Sequence, residues 1–348
     1  MFMNCSFLNL LFLLDKTTKK IYNTFGDKMV DKIKVEKFYD YFDEVANLLY
    51  DFNGTSYIEG MIYAFDLLMG KSDVNSEFPD DIKLKIQEAF DMILQIKLNA
   101  EELRKSVQLG LLKGFKHANY SNEMMTPDSI GIFIAYLIRK LYKDQKINSI
   151  FDPLIGTSNL VLTILNQLGE DIKVVGVEDN EFSANLAKSF IDLVDYENEI
   201  FMQDTLSFLN GNFDLIVTDL PKDDKTHQFY FPYGVISHHI NNLKDGGYFI
   251  ALIENDFFEK KNSDVFKKQI DESAYIFGLI KLSETLFNNS SKSILILRKK
   301  GELVFKENKF LLVDLPSFSD LNNFNKVINN IDNWFKTREV ELNENNRS

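Results

Sequence analysis

The stretch from Ser149 to Leu160 constrains the fold more than any other part of the chain. Ile150 and Phe151 read as the end of a short buried strand, and Asp152 closes it. Pro153 cannot donate to a sheet ladder and so marks the exit. Gly156 lets the backbone approach a ligand without a Cβ in the way. Thr157, Ser158 and Asn159 are helix-capping types, so a helix is expected from Ser158 through Gln167. A strand, a glycine turn and a helix N-terminus form a nucleotide-type site in an open α/β sheet.

The chain after this stretch alternates in the same way, the mark of a doubly wound, mostly parallel sheet. Strands are expected at Asn148–Asp152, Lys173–Glu178, Ile200–Gln203, Phe213–Thr218, Tyr248–Ile253, Tyr275–Leu282 and Lys292–Arg298, with helices between the earlier ones. The last two are joined by the polar loop Asn288–Ser291, without helical pattern, which predicts an antiparallel edge pair. Phe310–Asp314 can add a strand, Leu321–Phe335 is a helix carrying Trp334, and the charged tail from Thr337 is expected to fray.

Upstream, apolar residues recur at helical spacing over Val35–Leu49 and from Ile58 to Leu68, and a long third helix is expected from Asp81 to beyond Leu112. Residues 29–118 thus read as a helical domain that packs, dimerises or caps the substrate face. Residues 119–301 are the α/β domain and 302–348 a strand and helix extension. Thr126 suits an N-cap and Pro127 a first helical position. Met1–Leu14 is apolar but shorter than the ~20 residues of a membrane span, and it lacks a signal peptide's basic start. Residues 1–28 are read as a dispensable leader or a mis-assigned start.

The balance of charge, 39 Lys and Arg against 52 Asp and Glu, gives a net −13. Such a chain gains no general attraction to nucleic acid or an anionic membrane. The single cysteine, Cys5, fits a reducing cytoplasm, and no Cys/His cluster has metal spacing.

Four acids fall at successive strand ends: Asp152, Glu178, Asp204 and Asp219. In an open parallel sheet ligands bind there. Glu178 is placed to accept hydrogen bonds from ribose hydroxyls, Asp204 from an adenine amino group, and Asp152 to hold an amine-bearing cofactor. The turn has one glycine, not the three of a dinucleotide fingerprint, and no phosphate-loop motif is present. The pocket therefore suits a nucleoside cofactor without phosphates, S-adenosyl-L-methionine.

At this point the chain resembles a known family. Asp152-Pro153-x-x-Gly156-Thr157-Ser158-Asn159 is similar to the cofactor motif of class I S-adenosylmethionine-dependent methyltransferases of the N6-adenine DNA methylase type. Met125-Thr126-Pro127 resembles the segment that lines the methionine end there, and Asp219-Leu220-Pro221-Lys222 stands where that family has Asn/Asp-Pro-Pro-Tyr/Phe. The helical N-terminal part, the Asp-Leu-Pro and a Leu-Pro-Ser at 315–317 resemble the YtxK-like branch. The resemblance implies a Rossmann-like sheet with an antiparallel edge strand and an N-terminal helical domain. It implies cofactor contacts from Thr126, Asp152, Pro153, Gly156, Thr157, Glu178 and Asp204. It also implies methyl transfer to an exocyclic amine of DNA, whose N–H groups are accepted by Asp219 and the Leu220 carbonyl, with Pro221 completing the turn.

Two departures stand out. Leu220 replaces a proline, which is expected to loosen the turn, and Lys222 replaces the aromatic that stacks on a flipped base. Phe229, Tyr230, Phe231 and Tyr233 either supply that ring or anchor the next helix. Alternatives are a protein or small-molecule amine as substrate, or a non-catalytic module of the same fold. His238-His239 reads as part of a helix. Calorimetry separates the cofactor reading from a nicotinamide one: S-adenosylmethionine is expected to bind and NAD is not.

Overall fold

The computed structural model of the chain describes residues 30–118, 125–143, 145–169, 171–209, 211–222, 229–284 and 291–345. The leader, Asn119, Tyr120 and Asn288–Ser290 lie outside the described residues. The chain falls into two compact units, one holding Pro127–Leu154 with Asp204–Ser348, the other Asp27–Thr126 with Ile155–Gln203.

In the second of these, several helices are started by a residue whose side chain caps them. Asp31 accepts from the Ile33 amide and opens α1, Lys32–Asn53. Gly54, at φ +77°, ends it in the left-handed conformation a glycine adopts without strain. Ser56 and Glu59 form a reciprocal capping box at α2, Tyr57–Leu68. The long third helix is in fact two, α3 (Asp80–Leu94) and α4 (Ala100–His117). The break carries neither glycine nor proline, so periodicity alone runs across it. What stops the chain there is Asn99, whose side chain takes the Glu101 and Glu102 amides while Glu102 reaches back to the Asn99 amide.

Helices α1, α2 and α4 pack closely. A Cβ on Gly60 would lie 2.7 Å from Ala46 Cα, one on Gly114 would lie 2.6 Å from Ile58 Cγ1, and one on Gly110 would meet Met61 Cε. The same unit contains α6 (Asn159–Leu168), β2 (Lys173–Glu178), α7 (Glu181–Leu193) and β3 (Asn198–Met202). Strands β2 and β3 are parallel with Glu178 opposite Met202. Helix α2 packs on α7 and α4 on α6.

The other unit opens with α5 (Asp128–Tyr142), whose N-cap is Pro127 rather than Thr126. It continues with β1 (Ser149–Asp152), β4 (Phe213–Asp219), α8 (Phe231–His239), β5 (Leu243–Glu254), α9 (Ser263–Ser273), β6 (Ala274–Lys281), β7 (Lys292–Lys299), β8 (Leu311–Asp314) and α10 (Leu321–Asn345). Within this unit the strand order is β1-β4-β5-β7-β6-β8. Pairs β1·β4, β4·β5 and β6·β8 are parallel, and β7 is antiparallel to both β5 and β6. Thus β7 inserts between its neighbours and the added strand β8 takes the edge. Its buried run Ser293–Leu297 is what a strand covered on both faces requires. Helix α10 runs beyond the expected Phe335 to Asn345, with Arg338 held by Glu307 at 2.8 Å.

An aromatic cluster fills the core under β1. Phe151 stacks on Phe213 at 4.6 Å and on Phe208 at 5.0 Å, with the His239 ring edge-on at 5.2 Å. His239 is fully buried and, as expected, is a helix residue. The Gly211 amide donates to Asn242 Oδ1, so Asn242 Nδ2 donates to His239 Nδ1, and the proton on Nε2 goes to Thr205 Oγ1 at 2.8 Å. Burial, with His238 adding to it, lowers this imidazole from 6.5 to about 3. The unfolded chain therefore binds a proton below about pH 6.5 that the folded one refuses until about pH 3. The stability due to neutral His239 is complete above that window and is lost as pH falls through it. The urea midpoint is expected to drop below pH 6.5, by at most about 1.4 kcal/mol per pH unit, and less steeply in His239→Gln.

Candidate active site

The acids at the strand ends first serve the backbone. Asp152, 2% exposed, accepts the Leu154 amide at 3.0 Å and so holds the chain as it turns past Pro153. Asp204 lies two residues beyond the end of β3 instead of closing it, and caps a 3-10 turn over Thr205–Ser207 through the Leu206 amide at 2.9 Å. Glu178 does close β2. Its two oxygens take the Gly156 amide at 3.2 Å and the Asn180 amide at 3.0 Å. Burial pushes the Glu178 carboxyl above its usual range, which the Asn180 amide partly offsets and the neighbouring Asp179 reinforces.

The glycine turn is held in the same unit. Ile155 donates to the Val177 carbonyl at 3.0 Å and Ser158 to the Ile155 carbonyl at 2.8 Å. Gly156 sits at φ +50°. Ser158, where the motif has its second glycine, is also left-handed at φ +60° and is 1% exposed. The turn has kept the glycine conformation with a serine in it, at a cost of about 1 kcal/mol or more. Ser158 gives no side-chain cap to α6, and its hydroxyl bonds the Thr157 carbonyl at 2.6 Å. Thr126 and Thr157 are both buried, and the Thr126 carbonyl accepts from Asn159 Nδ2 at 3.2 Å.

Asn159 in turn is gripped by a residue that the sequence reading missed. Arg104 of α4 is 0% exposed. Its Nη1 donates to Asn159 Oδ1 at 2.7 Å, while Nε and Nη2 fork onto Glu101 at 2.8 and 2.6 Å. Asn166 Nδ2 completes Glu101 at 2.9 Å. A signal was present: Arg104 sits three and seven residues before Val107 and Leu111, on the apolar stripe of its helix.

On the substrate side, Asp219 ends β4 and faces Leu252 of β5. Leu220 does not loosen the turn. Its amide donates to the Leu252 carbonyl at 3.1 Å, a ladder bond that a proline could not make, and its side chain is 1% exposed. Pro221 and Lys222 are exposed. Lys292, at the start of β7, donates from Nζ to Asp219 Oδ1 and reaches the Leu220 carbonyl at 3.4 Å. Of the aromatic run, Tyr230 and Tyr233 are core. Tyr233 stacks on Phe266 at 4.4 Å and donates to the Phe257 carbonyl. Phe229 is 43% exposed.

These acceptors fit a nucleoside cofactor. A carboxylate accepts about four hydrogen bonds, so Glu178, with two amides, retains capacity for a ribose diol. The left-handed turn keeps side-chain bulk away from a close approach.

With that geometry in place, the comparisons define the class. A family model of N-6 DNA methylases matches residues 109–342, and one of the YtxK N-terminal helical domain matches residues 36–115. The chain belongs to the N-6 DNA methylase family, in its YtxK-like branch. It is 32% identical to the uncharacterized protein YtxK of Bacillus subtilis (strain 168), over 88% of this chain and 99% of that one. A crystal structure from Listeria monocytogenes, provisionally named a class I S-adenosylmethionine-dependent methyltransferase, is 31% identical with a TM-score of 0.78. It covers 88% of this chain and 100% of the other. The modification subunit of a provisionally assigned type I restriction enzyme from Vibrio vulnificus YJ016 shares the fold at a TM-score of 0.52 and 15% identity, over 90% of this chain and 89% of that one. The methyl donor of this class is S-adenosyl-L-methionine. No described helix is long and apolar enough to cross a membrane.

Two substitutions test the turn. Gly156→Val, forced into a left-handed conformation that valine avoids, is expected to lose S-adenosylmethionine binding by calorimetry while remaining folded. Ser158→Gly is expected to bind it undiminished and to unfold at higher temperature, by about 1 kcal/mol.

Proposed function

We propose that this protein transfers a methyl group from S-adenosylmethionine to the exocyclic N6 amine of adenine in DNA. Thr126, Asp152, Pro153, Gly156, Thr157, Glu178 and Asp204 hold the cofactor, and Asp219, Leu220 and Pro221 present the amine. The observation that carries the reading is the convergence of the Asp219 carboxylate and the Leu220 carbonyl on a single nitrogen, here Lys292 Nζ. Two acceptors so placed take the two N–H groups of an exocyclic amine and leave its lone pair directed away from them. The bound cofactor supplies an electrophilic methyl group on a sulfonium. The contribution of the chain is then orientation and electrostatics: Asp219 steadies the positive charge that develops on the amine nitrogen and can take the proton it sheds. Leu220, fixed by its own amide on Leu252, keeps its carbonyl aimed. Phe229, 43% exposed, is assigned the stacking on a base.

A protein or small-molecule amine is the second reading, favoured by the net charge of −13, which gives no general hold on phosphates. Tritiated methyl transfer decides between them. Label is expected in adenine of DNA and to fall about 100-fold or more in Asp219→Ala, with cofactor binding retained. Label in protein and none in nucleic acid would support the second reading.

A further inference from the structure

The nitrogen on which the two acceptors converge belongs to the chain itself. Lys292 Nζ bonds Asp219 and reaches Leu220 O at 3.4 Å, and the two charged side chains are only 11% and 21% exposed. The site therefore holds a built-in amine. A second carboxylate stands beside it. Glu254 ends β5 directly opposite Lys292 in the antiparallel register. Its Oε1 is buried with no hydrogen-bond partner among the described residues. A buried acceptor left unmatched in this way is uncommon and calls for an explanation. Lys292 and Lys222 are the cations that favour the charged form of Glu254, against a burial that disfavours it.

We propose that Lys292 is an internal occupant of the amine seat, and that Glu254 receives its ammonium when a substrate amine displaces it. This rests on the reading of Asp219 and Leu220 as amine acceptors. A lysine ammonium is a compact charge on a flexible stem, suited to exchange between two carboxylates on neighbouring strands. The bond that the incoming amine must break is charge-assisted, and the bond that replaces it is made by a neutral donor and is weaker. An isolated nucleoside has little else to offset that difference. A base presented by a polynucleotide does, through contacts remote from the reacting nitrogen. Lys292 thereby selects for adenine in a polymer over free adenosine.

The test is methyl transfer from S-adenosylmethionine to an adenine-containing oligodeoxynucleotide and to free adenosine. Lys292→Met is expected to raise transfer to the oligonucleotide about tenfold, equivalent to about 1.4 kcal/mol, and to bring transfer to adenosine into range. Glu254→Gln, which removes the receiving charge, is expected to lower transfer to the oligonucleotide. The ion pair itself is read without catalysis, by reductive methylation of surface amines and mass spectrometry. Lys292 is expected to be protected in the native protein and labelled in Asp219→Asn; equal labelling overturns the pair. Wild-type transfer that Lys292→Met leaves unchanged or lowers overturns the occupant role while the adenine reading stands. No transfer by either protein, with cofactor bound, overturns the adenine reading and the inference with it.

Discussion

The guanidinium of Arg104 is the interaction on which the glycine turn depends. A charge with no exposure to water is tolerated only when its donors are matched and a counter-charge is in place. Glu101 supplies the charge and a fork geometry, Asn159 takes another donor, and Asn166 and Tyr196 extend the network, the latter at 3.0 Å. Removing one member of such a pair costs about 3–5 kcal/mol. The consequence is local and directional. Asn159 is the first residue of α6, so its side chain, held by Arg104 on one side, fixes the Thr126 carbonyl on the other. The segment before α5 and the glycine turn are joined through a residue of the helical region. That region thus braces the turn through Arg104.

The acids at the strand ends show that structural and functional readings of one residue need not compete. Asp152, Glu178 and Asp204 each hold a backbone amide that would otherwise be unsatisfied at the end of an element. Each does so with part of a carboxylate's capacity. Their position follows from the turn they stabilise, and under the proposed function the cofactor meets acceptors already fixed in place. Preorganisation of this kind spares the ordering cost at the moment of binding.

Much of this was legible in the sequence because it depends on local chemistry. Strand runs such as Ile150–Phe151 and Leu215–Val217, the glycine at 156 and the acids after them follow from alternation and turn residues. What was hidden depends on partners distant in the chain. The break before Ala100 has no glycine or proline, and only the reciprocal bonds of Asn99 and Glu102 make it. Leu220 looked like a loosened proline because its amide partner, Leu252, is on another strand. Lys292 opened an expected strand, but nothing local pointed its ammonium at Asp219. The insertion of β7 between β5 and β6 was likewise beyond reach, since hairpin order along the chain suggested an edge pair and sheet order is set by pairing across it.

The glycines of the helical region carry a mechanical consequence. At Gly60 and Gly114 there is no room for even one methyl group between neighbouring helices. Helices in such near contact do not slide past one another by small steps, because displacement drives backbone into backbone at Gly60 and backbone into the Ile58 side chain at Gly114. Helices α1, α2 and α4, joined in this way, are displaced together rather than singly. The scaffold that carries Arg104 is thereby held in one arrangement behind the glycine turn.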